Sequence, residues 1–300
     1  MSMEPVVTLN GVQLHPPALD GTGYELDEDG LQGWYGSPKP KNTFTPRTAY
    51  AGSWWSPLAE EDVRVIAVSG TLAQADSLGL LAVQQQLAAI CPDPSQLYEL
   101  RVVDDFGTLI ANVQRSDAVL VKPNAPNSTA FSLSLTAPDP LKYNPNVVSA
   151  NTLLAEAVGG LDWSTGGGLP WSPTATLDWG TFISDGTTGL VNRGTAPSWP
   201  VFTVSGPSDI GSLAGFSITD MDTGSVIAYS GLLGIGDVLV IDTNPATRSV
   251  TLNGFSDVWS GLTTSQWFQV PAGGQVRLQF QGSTGSTTPL LVASAMDAYF

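Results

Sequence analysis

The chain has 300 residues, of which 42% are hydrophobic and only 13% charged, with 32 glycines and 22 prolines. Against a typical charged share of roughly 25%, that profile argues against disorder, coiled coils and long helical bundles. Asp and Glu outnumber Lys and Arg by 27 to 11, and a net charge of −16 opposes binding to a phosphate backbone or an anionic membrane surface.

The segment MSMEPVVTLNG lacks a basic stretch followed by an apolar one, so no secretory signal is expected. No apolar run of ~18 residues follows, and membrane insertion is not expected. His15, followed by Pro16 and Pro17, reads as an exposed loop residue. Trp34-Tyr35 and Trp54-Trp55 flank SPKPKNTFTP, a basic, Pro-rich stretch that reads as an extended arm or loop near residues 30–57. From Val63 a strand leads into a helix predicted over about 76–91, because Leu80, Val83, Leu87 and Ile90 recur at spacings of three and four. Asp76 or Ser77 caps its start, and Pro92 cannot continue it. Those four apolar residues are assigned to the core. Cys91, the only cysteine, forbids an intrachain disulfide and a cysteine-based zinc site; it reads as a small buried hydrophobe.

A hairpin is expected from Val102 to Ile110 around Asp104-Asp105-Phe106-Gly107, and another from Phe216 to Ala228 around Met221-Asp222-Thr223-Gly224. Phe131, Leu133 and Leu135 alternate with Ser132, Ser134 and Thr136, the period of a half-buried strand. Val250 and Leu252, then Val276, Leu278 and Phe280, repeat it later. The fold class is therefore mainly β, with two β-sandwich domains and one helix in the first. The domains are placed at 1–145 and 191–300, joined by a linker over 146–190 that contains Gly159-Gly160 and Gly166-Gly167-Gly168.

Catalytic equipment is sparse. One imidazole with no nucleophile beside it makes a Ser-His-Asp triad improbable. A glycosidase needs only two carboxylates, and Asp104-Asp105, Glu60-Glu61-Asp62 and Asp27-Glu28-Asp29 supply candidates, each of which also reads as a solvated turn. No catalytic residue and no cofactor is assigned. Asp220 and Asp222 resemble the opening of a calcium loop, but the later ligands are missing and a hairpin turn is favoured. Trp34, Tyr35, Trp54 and Trp55 are the candidate stacking residues if the protein holds sugars; core or interface packing is the competing reading.

Leu135 to Tyr143 reads LTAPDPLKY, and further motifs follow in order: Gly167-Gly168-Leu169-Pro170, Trp179-Gly180, Val191-Asn192-Arg193-Gly194, the strand Val201 to Gly206, Gly236-Asp237 through Asp242, Val250 to Gly254, and Trp267 to Gly273. From about Val63 to the C-terminus this series resembles the distal tail proteins, or minor tail proteins, of long-tailed, non-contractile siphovirus-type bacteriophages. Near Trp267 the family usually reads Pro-Gly-Asn, where this chain has Pro271-Ala272-Gly273. The resemblance implies a galectin-like C-terminal sandwich and a first domain that closes a hexameric ring in the virion tail tip. It further implies contacts with the tail tube protein and the tail-tip hub protein, a baseplate role without catalysis, and passage of DNA through a channel without specific binding. Synthesis in the host cytoplasm is expected. The alternatives are a tail-tip module that binds cell-wall carbohydrate, and a glycan hydrolase.

Overall fold

The computed structural model describes residues 4–41, 45–54, 60–155, 184–208, 210–284 and 288–300. It is mainly β, with a single α-helix among the described residues. The chain divides into two compact units, Met1–Pro145 with Ala298–Phe300, and Asn146–Asp297.

The first unit contains β1 (Val6–Leu9), β2 (Val12–His15), β3 (Gly23–Gln32), β4 (Thr45–Pro46), β5 (Ser53–Trp54), β6 (Arg64–Ala73), α1 (Ser77–Ala88), β7 (Tyr98–Asp104), β8 (Gly107–Arg115), β9 (Leu120–Ala125), β10 (Ser128–Ala137) and the start of β11 (Lys142–Leu153). Antiparallel pairing gives one layer β2-β1-β7-β8 and a second β3-β6-β10-β9. Period two decides what lies between them. Along β10 every second residue from Thr129 to Ala137 is buried, and Phe131, Leu133 and Leu135 meet Ile66 and Val68 of β6 and Leu100, Val102 and Val113 of the other layer in one core. Tyr24 packs edge-on against Phe131 with ring centroids 5.7 Å apart.

Helix α1 starts at the expected cap: the Asp76 side chain accepts a hydrogen bond from the Gly79 amide at 2.6 Å. Leu80, Leu87 and Ile90 are buried and Val83 is packed against them, as their spacing requires. Asp76→Ala should lower the stability of this unit by about 1 kcal/mol in chemical denaturation, the usual cost of an N-cap. The β7–β8 hairpin closes with Asp104 opposite Gly107, whose φ of 115° suits a residue without a Cβ.

His15 is not an exposed loop residue. It ends β2 with 7% exposure, its Nδ1 accepts the Leu26 amide at 3.2 Å, and its Nε2 lies 3.2 Å from a Glu4 carboxylate oxygen. The linker assignment needs correction as well, because residues 146–153 belong to β11 and residues 187–190 to a strand of the second unit. Gly159-Gly160 and Gly166-Gly167-Gly168 lie outside the described residues.

The second unit adds β12 (Thr187–Asn192), β13 (Val201–Ser205), β14 (Leu213–Asp220), β15 (Val226–Leu233), β16 (Val238–Asp242), β17 (Ser249–Leu252), β18 (Ser256–Asp257), β19 (Leu262–Ser265), β20 (Gly274–Thr284) and β21 (Leu290–Tyr299). One sheet runs β12-β20-β14-β15-β19 and the other β18-β17-β16-β13-β21. Their apolar positions, among them Phe202, Val204, Ile218, Ile241, Leu278 and Phe280, form a separate core.

Candidate functional site

Three features of the first unit bear on function: a buried pair of cations, the root of the arm that they fix, and two surface stretches built from uncharged residues. Arg64 opens β6 in phase with Ile66 and Val68, so the pleat turns its guanidinium inward, and it is 2% exposed. Its Nε donates to the Pro140 carbonyl at 2.7 Å, while Nη1 donates to the carbonyls of Gly33, Trp34 and Gly36 at 2.8, 3.2 and 2.6 Å. Lys142, 5% exposed, donates from Nζ to the same Trp34 carbonyl at 2.9 Å and stands 5.5 Å from the centroid of the Trp34 ring. No ion pair within 4 Å engages either cation among the described residues. Burial, with the Arg64 charge beside it, lowers the Lys142 pKa to about 8, against a smaller opposing pull from Asp104. Burial also lowers the Arg64 pKa, partly offset by Glu61.

The cations thus bind two stretches that are far apart in sequence. One is the turn Gly33–Gly36, from which the arm departs; the other is the Ala137–Tyr143 corner, where Asp139 accepts the Tyr143 hydroxyl at 2.7 Å and the Leu141 amide at 3.1 Å. Gly33 has φ 83°, and a Cβ there would run into the Val65 carbonyl oxygen. The arm itself folds back on Lys39 to Asp62 backbone pairing and carries the short β4–β5 hairpin. Lys39, Lys41 and Arg47, three of the chain's 11 cations, belong to it.

The proposed stacking residues are not one site. Trp34 is 1% exposed and inside the core, so its faces are closed to a ligand. Tyr35 and Trp54 are exposed, with the Arg47 guanidinium 5.1 Å from the Trp54 centroid; Trp55 lies outside the described residues. Asp220 and Asp222 build the β14–β15 turn. Asp220 accepts the Asp222 amide at 2.9 Å and the Thr223 hydroxyl at 2.5 Å, and Asp222 accepts Arg277 Nη2 at 2.7 Å, which holds its carboxyl below the usual range. Asp27, Glu28 and Asp29 bulge from β3 where its pairing with β6 slips, and with Glu4, His15 and Tyr35 they line a hollow of about 470 Å³. Its lining holds no Ser, Thr or Cys, and both His15 nitrogens are engaged. Among the described residues no group of three His, Cys, Asp or Glu is arranged to hold a metal.

Two surfaces stand out against this acidic background. On the outer face of the β6–β10 pair, Val65, Ala67, Ser69, Thr71 and Ala73 lie opposite Thr136, Ser134, Ser132, Ala130 and Ser128, a strip of small neutral side chains bordered by Glu25 of β3 and Lys122 of β9. Helix α1 has no charged residue, and Leu78 and Leu81 face outward, 78% and 52% exposed. Covering either set of side chains desolvates no charge of its own. Neither surface was legible as an interface from the sequence, although the alternation of β10 placed its serines outside.

The model of the siphovirus-type tail component, C-terminal domain (SPP1 Dit), matches residues 193–289. The crystal structure of the Dit protein (gp 19.1) of phage SPP1, described as a paradigm of the hub adsorption apparatus in phages infecting Gram-positive hosts, aligns with 99% of this chain and 100% of its own length at a TM-score of 0.63 and 10% identity. Chains of the phage p2 baseplate in its activated conformation, with Sr and with Ca, align at TM-scores of 0.42 with 10% identity, over 93% and 94% of this chain and 98% and 99% of theirs. No curated protein sequence matches. Residues 193–289, inside the second unit, thus carry the siphovirus-type tail component C-terminal domain, and nearly the whole chain shares the fold of the phage SPP1 Dit protein.

Proposed function

We propose that six copies of this chain close a ring at the tail tip that joins the tail tube protein to the hub protein and leaves a channel for DNA. A structural tail role is supported by the tail-component domain in the second unit and by the fold shared with the Dit protein; the ring, its number and its neighbours go beyond that. The observation that carries ring closure is the neutral β6–β10 strip, backed by the uncharged outer face of α1. A head-to-tail ring needs two different complementary surfaces on each copy, and self-repelling chains of net charge −16 associate most readily where no carboxylate must be desolvated.

The test is solution mass by light scattering, with negative-stain images, on the full chain. A ring about six times the 31.4 kDa chain is expected. Ser132→Arg, which puts a cation in the middle of the strip without touching the core, should return it to monomer; Ser205→Arg in the second unit should not. A ring that tolerates Ser132→Arg and Leu81→Glu together would refute these surfaces.

The channel reading has its own expected outcome. The chain offers few cations, so a gel-shift assay with duplex DNA at low salt should show no retention up to micromolar protein. Binding that weakens steeply with added salt would contradict it.

A further inference from the structure

We propose that a hollow in the second unit, between Trp199, Trp267 and the Asp220–Ser225 turn, is a binding site for a neutral saccharide of one or two pyranose rings. The hollow has a volume of about 490 Å³, within the span of small-ligand sites and too small for a folded partner. Its aromatic wall is pre-organised. Arg248 donates twice to the Thr243 carbonyl, at 3.3 and 3.2 Å, and its guanidinium lies 5.9 Å from the Trp199 ring centroid and 4.7 Å from that of Trp267. Trp259 stands 5.7 Å from Trp267, and Thr243 is itself fixed by its hydroxyl bond to the Pro200 carbonyl at 2.6 Å. The indoles are therefore held at a set position before any ligand arrives, which removes part of the ordering cost of binding.

The polar rim decides the ligand class. Thr223 donates its hydroxyl to Asp220 and lies 2.9 Å from the Ser225 hydroxyl, and Gln269 also lines the hollow. Hydroxyl and amide groups both donate and accept, matching the alternating needs of sugar hydroxyls. No Lys, Arg or His is among the residues that line the hollow, and the Arg248 guanidinium beside its indoles is engaged by the Thr243 carbonyl, which disfavours an anion. The single lining carboxylate, Asp220, is 2% exposed and already accepts two bonds from its own turn, so a cation gains little. An apolar face for an indole together with a ring of neutral hydroxyls is the chemistry of a pyranose.

This site is independent of ring closure, and its test reads the isolated chain. Tryptophan fluorescence and saturation-transfer NMR are followed while methyl glucoside, cellobiose, chitobiose and lactose are titrated in, with glucuronate as the anionic comparison. A saturable response to at least one neutral probe is expected, with a dissociation constant on the order of millimolar. Trp199→Ala and, separately, Gln269→Ala should each weaken it at least about tenfold, while Trp54→Ala should not. Thermal unfolding checks that each variant is folded, and Ser225→Ala replaces Trp199→Ala if that variant is not. No saturable response to any of the four probes, a preference for glucuronate, or a response that survives the Gln269 and Ser225 replacements overturns the assignment.

Discussion

Arg64→Ala should cost the first unit about 3–5 kcal/mol, enough to leave it largely unfolded or loosely packed, because the change removes the donor for four carbonyls that have little other recourse. Pro140, Gly33, Trp34 and Gly36 all turn their oxygens toward this side chain, and Trp34 has a second donor in Lys142. Arg64→Lys should recover only a minor part of the loss. An ammonium is a compact point of charge, whereas the bonds here leave two different nitrogens of a planar fork, Nε toward Pro140 and Nη1 toward the Gly33–Gly36 turn. Chemical denaturation gives the magnitude, and amide hydrogen exchange gives the place: protection should fall first around Gly33–Gly36 and Leu141–Tyr143. If Arg64→Ala keeps wild-type exchange in both stretches, the cation is not what holds the arm root.

That residue also marks where the sequence could be read and where it could not. The strands of β10 and β20 were legible because each buries one face only, so parity alone separates Phe131 from Ser132 and Val276 from Arg277. Helix α1 was legible from Leu80, Val83, Leu87 and its Asp76 cap, and both hairpins from their Asp and Gly. The same parity, carried back from Ile66 and Val68, puts Arg64 in the core, a position that its charge alone would make exceptional. Asn10-Gly11 is a comparable signal: both residues have positive φ, 49° and 77°, and they close the β1–β2 hairpin that carries His15 into the interior. Trp34 misled for another reason. Its Gly-rich surroundings suggest a loop, yet the turn exists to bring its carbonyl under two cations, a long-range contact spanning 108 residues that no local pattern encodes. Trp199, Arg248 and Trp267 likewise come from three separate connections, before β13, before β17 and after β19, and meet only after the sheets are paired.

Raising the pH from 8 to about 10.5 should stabilise the first unit by up to about 3 kcal/mol through Lys142 alone. In the folded chain burial and the Arg64 charge bring this ammonium down to about 8, while in the unfolded chain it keeps its proton to 10.5. Between those values the unfolded state binds more protons, so stability climbs with pH; below 8 the folded state bears the full cost of a buried charge. Tyr24 acts in the opposite sense at higher pH. Burial pushes its pKa up to about 12, so from about 10 upward the folded state is the one that retains a proton, and stability falls. Cys91 and Tyr35, whose pKa values burial also raises, act in the same sense as Tyr24, so the gain from Lys142 is opposed increasingly toward high pH. Lys142→Met separates the contributions. Trp34 still accepts from Arg64, the chain fills the same space, and a well-packed apolar replacement of a buried charge is often neutral or stabilising. Denaturant midpoints for the wild type and Lys142→Met should therefore differ at pH 7, with the variant higher, and converge as pH approaches 10.5. Parallel curves across that range would show that Lys142 is not charged against the energy of its surroundings; curves that diverge with rising pH would reverse the sign assigned to it.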